Sequence, residues 1–265
     1  MRLIFLAILS IPAWPGVAAA ETVEIPETDG TVLQATLFRP PPDVPVGTAV
    51  VALYGCGGPY PSRDRQWTET LTGTGHAVLF PDSFASHGLG PQCRVRQRAP
   101  GFAEMRRQDA LAAASWLAAQ KETPPGGIVL FGWSNGAGAV LRAGRSAPDV
   151  PAGLFRGLVA FYPPCAFVKP SADRRFVAPL LLLIGESDDW TPAAPCRDLA
   201  AKAASAVTLR TYPGAYHDFD APVPVRIMEH AAFAENPNGQ VHVGGEPAAR
   251  QDALMRVPAF IAGLP

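Results

Sequence analysis

Almost no net charge remains on this chain, because 22 lysines and arginines oppose 23 aspartates and glutamates over 265 residues. It has no long basic stripe either, which excludes nucleic acid as a main partner. Its densest basic stretch, Arg94, Arg96 and Arg98, reads as a solvated loop, with attraction of an anionic substrate as the alternative. No apolar run is long enough to span a membrane, and residues 177–184 read as a buried strand instead. There is no C-x-x-C pair and no His/Cys cluster, while His230 and His242 stand too isolated to be read as ligands. Neither a metal nor an organic cofactor is therefore expected. Internal repeats, low-complexity tracts and a clear interdomain linker are also missing.

The first twenty residues have the layout of a secretory signal. Arg2 supplies a short positive start, residues 3–11 are apolar, and Pro12 and Pro15 break the run before Ala18-Ala19-Ala20, an A-x-A cleavage pattern. No cysteine follows the cleavage point, so a lipid anchor is not expected. The mature chain, 21–265, is expected to be periplasmic or secreted, and to form one domain large enough for a substantial core. The four cysteines, Cys56, Cys93, Cys165 and Cys196, fit such an address. Their even number in an oxidising compartment implies two disulfides, with three connectivities open.

The hydrophobic pattern predicts an α/β protein. Residues 21–25 and 31–38 alternate polar and apolar around a Thr28-Asp29-Gly30 turn, as in an antiparallel hairpin. Continuous apolar runs at 49–54, 77–80, 127–131, 158–162 and 180–184, and a further strand at 207–212, alternate with helix-type segments at 62–73, 104–120, 137–145, 195–204 and 246–261. The long loop 85–101 is of a length that is often functional. Residues 221–245 read as irregular, either covering a site or lying on the surface. Strands alternating with helices imply a mostly parallel central sheet with helices on both faces, with any active site at the carboxyl ends of the strands.

One such end holds Gly132-Trp133-Ser134-Asn135-Gly136, a G-x-S-x-G between a strand and a helix. A strand entering a tight turn and then a helix holds its serine at the tip, with the helix N-terminus behind it. A serine hydroxyl needs a base, and the base needs an orienting acid. In this architecture the chain order is serine, acid, histidine, which Ser134, Asp188 and His217 supply, each just beyond a predicted strand. Asp189 competes for the acid role. His76, His87 and Asp82 precede the serine and break the order. The oxyanion of the tetrahedral intermediate needs two donors, and the backbone amides of Asn135 and Cys56, the latter in Gly55-Cys56-Gly57-Gly58, are the candidates.

Taken together, Tyr54-Gly55-Cys56-Gly57-Gly58, Pro81-Asp82-Ser83-Phe84, the serine turn, Gly185-Glu186-Ser187-Asp188 and Ala215-Tyr216-His217-Asp218-Phe219-Asp220 resemble the dienelactone hydrolase-like branch of the α/β-hydrolase superfamily. The resemblance runs from about residue 49 to 261. It implies the α/β-hydrolase fold, and its G-x-x-D pattern places the acid on Asp188. Two features depart from it: the namesake enzymes use a cysteine nucleophile where this chain has Ser134, and a histidine is usual where Tyr54 stands. The family's strand order also implies the pairings Cys56–Cys93 and Cys165–Cys196.

These readings lead to an exported serine hydrolase acting on a small-molecule carboxylic ester or lactone through an acyl-enzyme. A peptidase or acyltransferase with the same triad, or a catalytically silent binding protein on the same fold, are the alternatives. The acyl group, the leaving group and the oligomeric state are not legible.

Overall fold

The computed structural model describes residues 20–121, 123–168, 175–203 and 206–265. The signal-peptide expectation falls on residues that lie outside these, apart from Ala20 at its end.

Eight strands form one sheet in the order β1-β2-β4-β3-β5-β6-β7-β8. β1 (Ala20–Pro26) and β2 (Val32–Phe38) make the opening hairpin, and β2 runs antiparallel to β4 (Val78–Pro81). The strands β3 (Val50–Leu53), β4, β5 (Ile128–Trp133), β6 (Phe155–Phe161), β7 (Leu180–Gly185) and β8 (Val207–Tyr212) are parallel. Every residue of β3, β4, β5 and β7 is buried, because helices cover both faces of a parallel sheet. On the edge strand β8 burial alternates instead.

The order of the strands decides which face each helix takes. From β3 the chain moves through α1 (Pro61–Gly73) to β4, toward the hairpin. From β4 it returns through α3 (Phe102–Ala118) to β5, and then goes on through α4 (Asn135–Ala143) to β6, away from the hairpin. Right-handed crossovers in opposite directions put their helices on opposite faces. Accordingly α1 packs with the closing helix α6 (Pro247–Ala262), and α3 packs with α4. The direction reverses between β3 and β5, so the loops after these strands diverge and leave a crevice at their carboxyl ends.

Three differences from the sequence reading bear on the surroundings of the site. Helix α4 starts at Asn135, immediately after Ser134, rather than at 137. The segment 221–245 is not wholly irregular: β9 (Arg226–Met228) and β10 (Val241–Val243) pair as a two-stranded antiparallel ribbon. Strands of three residues among prolines, with Arg226 and Ile227 exposed, are too short to show a periodicity. A four-residue helix, α2 (Ser83–Ser86), also opens the long loop, capped by the Asp82 side chain, which accepts from the Ala85 amide at 3.0 Å.

Candidate active site

The turn between β5 and α4 forces Ser134 into an unusual backbone conformation, with φ 51° and ψ −115°. A non-glycine residue in this region carries strain, which persists only where the surroundings over-determine it. Here they do. The Ser134 amide donates to the Phe161 carbonyl at 2.9 Å, and its own carbonyl accepts from the Gly138 amide at 2.9 Å. The flanking glycines are required by close approach. A Cβ on Gly136 would overlap the Leu53 and Tyr54 carbonyls, and one on Gly132 would press into the Gly136 backbone. The helix thus lies directly against β3 and β5 and holds the serine at its N-terminus.

Ser134, His217 and Asp188 come together in an unbroken chain of hydrogen bonds. Ser134 Oγ lies 2.9 Å from His217 Nε2, and His217 Nδ1 lies 2.8 Å from Asp188 Oδ2. A carboxylate can only accept, so Nδ1 carries the ring proton and Nε2 offers its lone pair to the serine hydroxyl. Asp188 is held from the other side: its Oδ1 accepts the amides of Trp190 (3.0 Å) and Thr191 (2.8 Å), and Thr191 Oγ1 lies 3.0 Å from Oδ2. Gly185 brings this turn against the histidine loop, since a Cβ there would overlap the Ala215 carbonyl, which accepts the Ser187 amide at 3.0 Å. The His217 ring is enclosed by Tyr162 and Trp190, with ring centres 4.5 and 4.8 Å away. Burial works to lower the pKa of His217, but the Asp188 charge and hydrogen bond outweigh it and hold the imidazole above its ordinary value.

The competitor Asp189 faces elsewhere. It binds His242 through Oδ2–Nδ1 (2.7 Å) and accepts the His242 amide at 2.9 Å, which fastens β10 to the turn after β7. His242 is therefore not isolated. It pairs with Asp189 and stacks on Tyr216.

Cys56 and Asn135 flank Ser134 in the crevice, and among the described residues neither backbone amide has an acceptor. Asn135 is the first residue of α4, where amides lack intrahelical partners by geometry. The two free amides sit where the topology reverses. Disulfides brace both ends of the site: Cys56 to Cys93, tying the loop after β3 to the long loop, and Cys165 to Cys196, tying the loop after β6 to α5 (Ala193–Lys202).

Two hollows meet at Ser134. One, of about 550 Å³, lies on the Asn135 side, walled by Phe102, Phe167, Trp190 and Phe233 with Arg98, Arg106 and Arg142 among them. The other, of about 430 Å³, lies on the His217 side, between Tyr60, Arg63 and the ribbon residues Arg226 and Met228. The segment 221–245 thus supplies a wall to each. It also holds the histidine loop, since the Gly244 amide donates to the His217 carbonyl at 2.8 Å.

Several supporting residues escape a reading of the sequence. Thr191 and Tyr162 lie just after strands, where nothing in the local pattern marks them. Asp220 is fully buried and accepts three hydrogen bonds, from Trp67 Nε1 (2.7 Å), Trp133 Nε1 (2.8 Å) and Tyr162 Oη (2.7 Å). Arg106, also buried, donates to the Tyr54 carbonyl at 2.6 Å behind the Cys56 loop, and burial pushes its pKa down to about 10. An arginine in an amphipathic helix carries no sign in the sequence that it will turn inward.

The arrangement is a serine, a histidine and an aspartate joined by hydrogen bonds, with the Cys56 and Asn135 loops beside the serine. The dienelactone hydrolase family model matches residues 33–260. Among solved structures, the dienelactone hydrolase of Anabaena variabilis superposes with a TM-score of 0.63 at 19% identity, covering 93% of this chain and 98% of that one. A dienelactone hydrolase-like promiscuous phosphotriesterase from metagenomic libraries superposes with a TM-score of 0.69 at 18% identity, covering 94% and 99%. Esterase 2 of Thermogutta terrifontis, solved phosphoramylated by tabun, gives 0.63 at 19% identity, covering 95% and 96%. A search of curated protein sequences returns no match. At these identities the superpositions speak for the fold.

Proposed function

Because the chain belongs to the dienelactone hydrolase family and is a hydrolase, we propose that it is an exported serine hydrolase that cleaves a carboxylic ester or lactone through Ser134, His217 and Asp188. The observation that carries this reading is the continuous Ser134–His217–Asp188 hydrogen-bond chain at the topological reversal of the sheet. Ser134 Oγ attacks the carbonyl carbon while its proton passes to His217 Nε2, and Asp188 stabilises the imidazolium that forms. The new oxyanion takes hydrogen bonds from the amides of Cys56 and Asn135, aided by the α4 N-terminus. The carbon–oxygen bond to the leaving group then breaks, and Nε2 returns its proton to the departing alkoxide. In a lactone that alkoxide stays tethered to the acyl group. Water repeats the sequence in reverse, giving the acid and free Ser134.

The two hollows divide the substrate. The one beside His217 takes the leaving group, since Nε2 must reach its oxygen. The one beside Asn135 takes the acyl group, and its three arginines face only Glu104 among the lining carboxylates, itself bonded to Arg107 at 2.9 Å. This favours an acyl chain bearing a carboxylate, with the aromatic walls covering its carbon skeleton. Export rests on the signal-type leader together with the two disulfides.

A fluorophosphonate probe, which phosphonylates an activated serine, tests the reading on the mature protein beside Ser134→Ala. Labelling of the wild type alone is expected, with hydrolysis of p-nitrophenyl acetate lost in the variant. Folded, disulfide-bonded wild type that takes no label, or a Ser134→Ala variant that labels equally, overturns it.

A further inference from the structure

Behind the α3 helix, outside both hollows at Ser134, three side chains from three elements converge. Glu27 follows β1 in the hairpin turn, His87 caps the end of α2, and Asp109 lies in α3. One donor atom from each lies within 4.8 Å of the other two. His87 Nε2 is 3.0 Å from Asp109 Oδ1 and 3.7 Å from Glu27 Oε2. The Asp109 side chain is 1% exposed, that of Glu27 8% and that of His87 16%.

An ion pair alone does not satisfy this cluster. A protonated imidazole offers one N–H at Nε2, which reaches Asp109 and leaves Glu27 beyond hydrogen-bond range. Glu27 Oε1 and Asp109 Oδ2 are both buried and without a hydrogen-bond partner among the described residues. Arg106, three residues before Asp109 on α3, donates its hydrogen bond to the Tyr54 carbonyl. One imidazole and two carboxylates therefore face one another with buried carboxylate oxygens left unpaired.

We propose that Glu27, His87 and Asp109 form a structural site for one divalent transition-metal ion, Zn²⁺ foremost. One imidazole nitrogen and two carboxylate oxygens form a donor set that suits zinc better than calcium, which prefers oxygen throughout. Bonds of about 2.1 Å place adjacent ligands about 3.0–3.4 Å apart, against 3.0 and 3.7 Å for the two edges from His87 Nε2. The residual exposure of His87 leaves room for water as a further ligand. The ion clamps the β1–β2 turn and the end of α2 to α3. That helix carries Arg106, one turn before Asp109, and so the support of the loop that contains Cys56. The site braces the protein and does not touch the reacting atoms.

Tag-free mature protein, stripped with EDTA and desalted, is titrated calorimetrically with ZnCl₂, MnCl₂ and CaCl₂ beside His87→Ala and Glu27→Gln. The second variant keeps the shape of the buried side chain, and circular dichroism establishes that both are folded. The wild type is expected to bind one equivalent of Zn²⁺, with Tm rising by about 5–10 °C at a hundredfold excess over Kd. Each variant is expected to bind at least about tenfold more weakly and to lose the rise. No stoichiometric binding by the wild type, equal binding by both variants, or binding of Ca²⁺ in preference to Zn²⁺ overturns the proposal.

Discussion

Asp220 is the side chain whose removal tests the architecture of the site most directly. It lies three residues after His217, and its three partners are Trp133, next to Ser134; Tyr162, whose ring lies against His217; and Trp67, on α1. One carboxylate thus ties the histidine loop to the strand that leads to Ser134, to the strand beside it and to a helix. Replacing it with alanine leaves two indole N–H groups and a phenol without acceptors in a sealed core. Each stranded donor costs about 1–3 kcal/mol, partly offset because a buried carboxylate no longer has to be desolvated. The net loss is about 3–5 kcal/mol, a large share of the roughly 5–15 kcal/mol that holds a typical domain together. Asp220→Asn keeps one oxygen able to accept two bonds but points an NH₂ group at the third donor, so about 2 kcal/mol is expected. Urea denaturation of the oxidised protein measures both. Under native conditions kcat is expected to fall by about tenfold to a hundredfold, with KM little changed, because the imidazole shifts relative to Ser134 while the hollows keep their walls. If Asp220→Ala unfolds within about 0.5 kcal/mol of the wild type with the same kcat, the network neither holds the fold nor positions His217, and the reasoning fails.

Other consequences are as direct. His217 must be neutral to act as a base, so the acid limb of kcat/KM is expected above the ordinary histidine value of about 6.5, and Asp188→Asn should move that limb downward as well as lowering the rate. The same raised pKa adds stability that is complete below about pH 6.5 and fades as pH rises through the folded-state value; a titration of urea midpoints should show that slope in the wild type and lose it in His217→Gln. Reducing the disulfides, which close spans of 37 and 31 residues, should cost up to about 4 kcal/mol each. Cys56→Ser with Cys93→Ser should lower kcat more than the double change at Cys165 and Cys196, since only the first releases a proposed oxyanion donor. Arg98 lines the hollow proposed for the acyl group; Arg98→Gln should reduce kcat/KM about tenfold for esters of a carboxylate-bearing acyl group, a loss of about 1.4 kcal/mol, and leave neutral acetates unaffected.

How much of this was legible depended on the range of the interaction concerned. Local features could be read directly. Runs of apolar residues covered on both faces declared β3 to β7, because burial on two sides removes polar residues from a strand. The serine turn declared itself because a strand cannot pass into a helix lying this close without glycine at 132 and 136. The order Ser134, Asp188, His217 was also in the sequence, since the parallel topology sends each strand end to the same edge. With adjacent carboxylates the residues alone left Asp188 and Asp189 in competition. The turn after β7 separates them, giving one to His217 and the other to His242. Likewise the residues alone left three pairings of the four cysteines open, and only the resemblance, through the family's strand order, implied the two that form.

What only the tertiary structure decided involves partners far apart in sequence. Asp220 meets Trp67, Trp133 and Tyr162 across separations of 153, 87 and 58 residues, and no local periodicity encodes such a meeting. The inward turn of Arg106 and the convergence of Glu27, His87 and Asp109 are of the same kind. Short strands such as β9 and β10 exist because the histidine loop and Asp189 give them something to bind, not because three residues prefer to be extended. Backbone pattern and turn chemistry therefore determined the frame and the order of Ser134, Asp188 and His217 along it. Long-range packing determined which of the remaining polar side chains were drawn inside and which partners met them there.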